Sequence, residues 1–127
     1  MNNLLDTHTL IWFLNGSKDL SAKAKKAFEN KESINFVSIA SLWEMAIKIS
    51  LGKLELTISF SKIAGLIKNN GFHILPISFD DILLLSNLPF HHRDPFDRIM
   101  ITQSISNKLT IISKDNQFGA YDVLIIW

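Results

Sequence analysis

His91-His92-Arg93-Asp94-Pro95-Phe96-Asp97-Arg98 reads as the start of a helix. Asp94 suits the N-cap, where its side-chain oxygen accepts a bond from an otherwise unpaired backbone N–H. Pro95 then takes the first helical position, where a missing N–H costs nothing. Asp97 falls at the third position, as in a capping box with Asp in place of Glu. Phe96, Ile99, Met100 and Gln103 come next at helical spacing as the core face. The spacing predicts a helix over 94–106 that leads into an apolar run, Leu109–Ser113. By itself this accounts for both acids, which stabilise a positive helix end by roughly 0.3–1 kcal/mol each.

The chain has 127 residues, enough for one domain with a sizeable core. Apolar residues make up 47%, which excludes a disordered chain. Cysteine is absent, so disulfides, a thiol nucleophile and thiolate zinc are excluded, as suits a reducing compartment. Asn2 and Asn3 stand where a secretory leader has basic residues, and Asp6 interrupts the first apolar run. No apolar stretch approaches the ~18 residues of a membrane span. A cytoplasmic protein with no membrane partner is the expectation. The net charge of +1 announces no nucleic-acid partner. With four of the twelve acids set aside as candidate ligands, however, thirteen Lys and Arg face eight acids and the scaffold carries +5.

Outward from the 94–106 helix, apolar strands alternate with helices. Asn2–Leu5 reads as strand one, ending at Asp6, and 7–14 as a short helix. Ser21 caps a Lys-rich helix over 22–30. Ser33–Val37 is strand two. Ser38 caps a helix over 39–50 closed by Gly52, with a core stripe of Leu42, Ala46 and Ile49 and with Met45 alongside. Glu44 lies on another face, four residues before Lys48, an ordinary i,i+4 ion pair if seen alone. Ser59 caps a helix over 60–70. Phe72–Ile77 is strand three, broken by Pro76. Ser78 and Asp81 form a capping pair before a helix over 82–85. Leu109–Ser113 is strand four and Val123–Trp127 strand five. This alternation predicts an α/β fold with a largely parallel sheet covered on both faces.

That topology brings distant acids together. In right-handed βαβ units, strand C-termini and the N-termini of the helices after them share one sheet edge, where open α/β sheets bind ligands. Asp6 ends strand one. Glu44 is six residues past the Ser38 cap, about 9 Å up its helix. Asp94 and Asp97 open the helix leading to strand four, and Asp115 comes after that strand. Asp6, Glu44, Asp97 and Asp115 thus face one rim, where carboxylates repel unless a cation joins them. Oxygen ligands without cysteine select a hard ion, Mg²⁺ or Mn²⁺, and an ion so held suits phosphodiester hydrolysis.

Leu4-Leu5-Asp6-Thr7-His8 carries a resemblance in which three later stretches join: Ser38 to Lys48 with Gly52-Lys53-Leu54, Arg93 to Arg98, and Ser113-Lys114-Asp115 with Phe118. In this order and spacing the chain resembles a PIN-domain ribonuclease, and within that family a VapC-type toxin of a type II toxin–antitoxin pair. The resemblance runs through nearly the whole chain. It implies a single PIN domain over 1–127, a three-layer α/β/α fold, and about five strands in the order 3-2-1-4-5. It also implies an acidic quartet of Asp6, Glu44, Asp97 and Asp115 holding Mg²⁺ or Mn²⁺ for endonucleolytic cleavage of RNA. Asp94 matches an extra acid of this branch and ranks below the four, because capping already explains it. Thr7 or Ser38 matches a small hydroxyl residue near the site. A VapB-type antitoxin whose tail fills the site, and a homodimer through apolar helix faces, are the implied partners. Mean hydropathy of +0.19 suits buried association surfaces.

Arg98 and Arg93 stand between binding phosphate and pairing with an acid. His91 and His92 read as loop residues ahead of the helix, with substrate contact as the alternative. His8 and His73 read as structural or solvent-facing, and Trp12, Trp43 and Trp127 as core or oligomer contacts. A haloacid-type phosphatase needs an acid two residues after Asp6, where His8 stands. A receiver-like module needs paired acids near the end of strand one. The remaining rival is a PIN module without catalysis that works by binding protein or RNA.

Overall fold

The computed structural model describes all 127 residues. Five strands, β1 (Asn3–Leu5), β2 (Asn35–Ser38), β3 (His73–Leu75), β4 (Thr110–Ile112) and β5 (Ile125–Ile126), form one sheet in the order β3-β2-β1-β4-β5. Every pairing is parallel, so the expected fold holds and the sheet is wholly rather than mostly parallel. Six helices connect the strands: α1 (Thr7–Leu14), α2 (Ala22–Glu29), α3 (Ile39–Ser50), α4 (Ile63–Asn69), α5 (Phe79–Ser86) and α6 (Pro95–Asn107). None is long and apolar enough to cross a membrane.

Side chains alternate across a strand, so neighbours on β1 enter different cores. Leu5 joins a core with Leu10, Ile11, Val37, Met45, Ile63 and Ile67. Leu4, beside it, joins a second core with Met100, Ile101, Ile111, Phe118 and Tyr121 on the other face. With both faces covered, the central strands are buried throughout. The polar residues among them are Asn3 and Thr110, and the Asn3 amide donates to the Asn35 Oδ1 opposite it in register (2.9 Å) at the edge of the sheet away from strand C-termini.

The register also fixes the other edge. Leu5 is level with Val37 on one side and Ile112 on the other. The next residues, Asp6, Ser38 and Ser113, are therefore neighbours, and the helix starts of α1 and α3 rise from the same edge.

Several boundaries differ from the sequence reading for local reasons. β3 spans three residues because Pro76 has no N–H for the ladder. The helix expected over 60–70 begins as a 3₁₀ turn (Phe60–Lys62), and the Ser59 hydroxyl bonds Ser61 instead of capping it. The Ser78–Asp81 capping box is closed in both directions, at 2.9 and 3.2 Å, which puts Phe79 inside α5 and starts that helix three residues earlier than expected. Leu42, Ala46 and Ile49 are only half-buried. The most buried residues of α3 are Ala40, Ser41, Glu44 and Met45. α6 has no single core face, because Arg98 through Ser104 are all buried between the sheet, α3 and α5.

α6 ends on Lys108, whose φ of 53° and ψ of 50° are left-handed. That conformation costs an L-residue about 1–2 kcal/mol, and glycine adopts it freely. Lys108→Gly is expected to raise stability by roughly 0.5–1 kcal/mol after glycine's extra chain entropy is counted. Thermal unfolding should show this as a Tm gain of roughly 2–5 °C.

Candidate functional site

Asp6, Asp94, Asp97 and Asp115 lie where strand and helix ends meet, with Glu44 midway along α3, and three of them are tied to a helix start. Asp6 is buried and caps α1, with Thr9 N–H donating to its Oδ1 at 2.7 Å. Asp94 is exposed and caps α6, its Oδ1 accepting from Phe96 N–H (2.9 Å) and Asp97 N–H (3.2 Å). Asp115 caps the 3₁₀ turn Asn116–Ala120 through Gln117 N–H at 2.9 Å. Such caps give each carboxylate a favourable partial charge at a helix end.

Asp97 and Glu44 have no such anchor. Asp97 does not close a capping box with Asp94. Its Oδ2 points to His92, 3.5 Å from Nε2. Glu44 is 7% exposed, and its Oε2 pairs with Lys48 at 3.1 Å, the i,i+4 pair the sequence allows. Its Oε1 is buried with no partner, which is costly for a charged oxygen.

The electrostatics of Asp97 report how close the acids are. Burial first, then the carboxylates of Asp94, Glu44, Asp6 and Asp115, push its carboxyl from the ordinary 3.8 up to about 7. All five acids therefore act on one locality. Only Glu44 is neutralised by a lysine or arginine. No three of the chain's acidic and histidine side chains close to metal-coordination spacing, so the acids are gathered without forming a ready-made cage. The donor set fits a hard divalent cation: it consists of oxygens, it carries excess negative charge, and it includes an orphaned buried oxygen at Glu44.

The secondary candidates are used differently. The Thr7 hydroxyl donates to Ser41 Oγ (3.0 Å), which in turn meets Met100 Sδ (3.3 Å), so it ties α1 to α3 and α6. Ser38 is fully buried and accepts from Ala40 N–H (3.0 Å) as the α3 cap. Arg98 neither pairs with an acid nor faces solvent. Its guanidinium is buried and donates to the carbonyls of Leu88 (3.1 Å), Pro89 (2.9 Å) and His92 (3.5 Å) and to the Tyr121 hydroxyl (3.3 Å). It lies 3.9 Å over the Phe90 ring and clamps the loop that precedes α6. Arg93 is exposed and lines a groove beside Glu44 and Asp94. His8 and His73 are exposed, and Trp12 packs on Trp127.

Sequence reading passes over Ser113. Its hydroxyl donates to Asp6 Oδ2 and accepts from Asp115 N–H at 2.9 Å, joining two of the acids through one side chain. The available signal is the parallel register, which sets residue 113 beside residue 6. Tyr121 also escapes as a part of the site, and His92 is read from sequence as a loop residue or substrate contact rather than as a neighbour of Asp97, since no local pattern connects the two.

A model of the PIN domain matches residues 4–124. The chain belongs to the PIN-domain family. No characterised protein matches this PIN domain in sequence. Among solved structures, VapBC2 of Rickettsia felis, bound to a promoter DNA fragment, superposes with a TM-score of 0.73 at 12% identity, covering 98% of this chain and 97% of that one. VapC20 of Mycobacterium tuberculosis, named as a toxin that cleaves the sarcin–ricin loop, gives 0.69 at 12% identity over 98% and 97%. A toxin–antitoxin complex from Klebsiella pneumoniae gives 0.66 at 20% identity over 98% and 96%. At these identities the likeness is one of fold.

The raised Asp97 value sets a pH dependence. The unfolded chain ionises this group near 3.8, whereas the folded protein holds the proton until about 7. Between these values the native state binds more protons, so metal-free stability falls as pH rises. Asp97→Asn removes this component. Calorimetry in chelator should show the variant gaining on the wild type in Tm from pH 4 to 7. A constant difference across that window would contradict the assignment.

Proposed function

We propose that the protein is a Mg²⁺- or Mn²⁺-dependent endoribonuclease and the toxin of a type II toxin–antitoxin pair. The observation that carries this reading is the gathering of Asp6, Glu44, Asp94, Asp97 and Asp115 at one rim, where burial and then the four neighbouring carboxylates push the Asp97 carboxyl up to about 7. PIN-family membership and the toxin–antitoxin complexes among the solved neighbours support it.

Asp6, Glu44, Asp97 and Asp115 would hold the cation. When bound, the ion neutralises charge at a scissile phosphate and makes water a better nucleophile. The chain's own residues prepare that setting. Thr9 N–H and the Ser113 hydroxyl orient the Asp6 carboxylate. Gln117 N–H fixes one oxygen of Asp115 and leaves the other free. The unbonded Oε1 of Glu44 is available to a ligand or to a proton of the attacking water. A groove of about 460 Å³ beside Glu44 and Asp94 is lined by Lys48, Lys53 and Arg93, cations suited to the phosphates of an RNA strand.

Partners follow the same reading. An antitoxin would cover the rim and silence cleavage. A homodimer is supported by Ile39, Trp43 and Ile47, which recur every four residues on α3, and by Leu51 at its C-cap, all exposed, with Phe79, Ile82 and Leu83 exposed on α5. Trp43→Asp is expected to shift sedimentation to the monomer. A dimer unchanged by it would remove this surface from the interface.

The test of the activity is cleavage of total RNA with Mn²⁺ or Mg²⁺. Cutting should stop on chelation, and Asp6→Asn or Asp97→Asn should slow it roughly 100- to 1000-fold. Both variants should stay folded, since each relieves like-charge repulsion. Cutting by either variant at the wild-type rate would reject the site assignment. RNA left intact by wild-type protein with Mn²⁺ would favour the binding-module reading.

A further inference from the structure

We propose that His92 is a positioning residue for Asp97, set in a single tautomer by Tyr121 so that its Nε2–H is presented to one oxygen of that carboxylate. The Tyr121 hydroxyl, on a buried side chain, has four nitrogens around it. His91 N–H (3.1 Å), His92 N–H (3.3 Å) and Arg98 Nη1 (3.3 Å) can only donate to it. The fourth, His92 Nδ1 at 3.1 Å, is the one able to accept. A phenol has one proton, and it has one place to go. His92 Nδ1 is therefore the acceptor, and the hydrogen of the neutral ring sits on Nε2.

That Nε2 is buried, has no hydrogen-bond partner, and lies 3.5 Å from Asp97 Oδ2. The separation is long for a hydrogen bond. It leaves a donor aimed at the site and waiting on a small movement of the carboxylate. The ring cannot turn to seek another partner: its side chain is 7% exposed and packs against Tyr121 and Phe118. Arg98 fixes the backbone of the same loop through the carbonyls of Leu88, Pro89 and His92. One face of α6 thus carries Asp97 into the site, while Arg98, one residue on, secures the histidine that orients it. Groups that hydrogen-bond a ligating carboxylate fix its direction, and their loss typically weakens metal binding 10- to 100-fold.

This inference rests on the reading of Asp97 as a cation ligand, and its test separates the two. Mn²⁺ affinity of the full chain, followed by the electron paramagnetic resonance of free Mn²⁺, should fall about 10- to 100-fold in His92→Ala. His92→Gln places an amide nitrogen where Nε2 stood and should retain most of the affinity. His92→Asn places its amide nearer the Nδ1 position and should not. Tyr121→Phe should weaken Mn²⁺ binding more in the wild-type background than in His92→Gln, because an amide has no tautomer to set and only the loop contacts of the hydroxyl are then lost. Equal loss in the Gln and Asn variants, wild-type affinity in His92→Ala, or an equal Tyr121→Phe effect in both backgrounds would overturn the role of His92 alone. A wild-type protein that takes up no Mn²⁺ would overturn the ligand reading of Asp97 as well.

Discussion

Repulsion among carboxylates at one rim of a parallel sheet is the constraint that the rest of this structure answers to. The register of β1 between β2 and β4 leaves Asp6 no freedom to move away, and α6 carries Asp97 into the same space. The acids are tolerated because helix starts lie at that rim as well. Asp6, Asp94 and Asp115 each accept backbone N–H bonds at a helix or 3₁₀ start. The topology that concentrates the negative charge thus also supplies partial positive charge against it.

The offset is incomplete in two places, and these are the informative ones. Asp97 has no cap, and burial together with the neighbouring carboxylates leaves it a carboxyl that stays protonated up to about pH 7. Glu44 has one oxygen on Lys48 and one buried without a partner. A core selected for stability alone would remove both features, since a buried polar atom left unpaired weakens the fold. Local rules broken in this way mark functional sites more often than errors of folding. Lys48 and the groove cations Lys53 and Arg93 add the opposite charge beside the acids, an arrangement suited to a polyanion next to a cation.

Much of this is legible in the sequence because the signals are local. The Asp94-Pro95 cap, the Ser38 cap and the alternation of apolar runs with helical spacing each act within a few residues, and they locate every strand. The rim position of the acids comes from topology. What escapes depends on contacts between residues far apart in the chain. Tyr121 meets His92 across 29 residues and Arg98 across 23. No pattern within a helix or strand encodes that meeting, so Arg98 stays open to a ligand role it does not fill. α6 misleads for another reason. A helix enclosed on all sides has no amphipathic period, and the stripe read from Phe96, Ile99, Met100 and Gln103 is only one part of its buried surface. Ser113 lies between these cases, since the sheet register alone is enough to set it beside Asp6.

Whether these carboxylates share one divalent cation is open to direct measurement. Crystals of the protein grown with MnCl₂ would test it by anomalous scattering at the manganese edge. A peak is expected within coordinating distance of the carboxylate oxygens of Asp6 and Asp97, with Glu44 or Asp115 completing the set. A map with no peak at that rim, or with manganese bound only elsewhere on the surface, would contradict a shared cation.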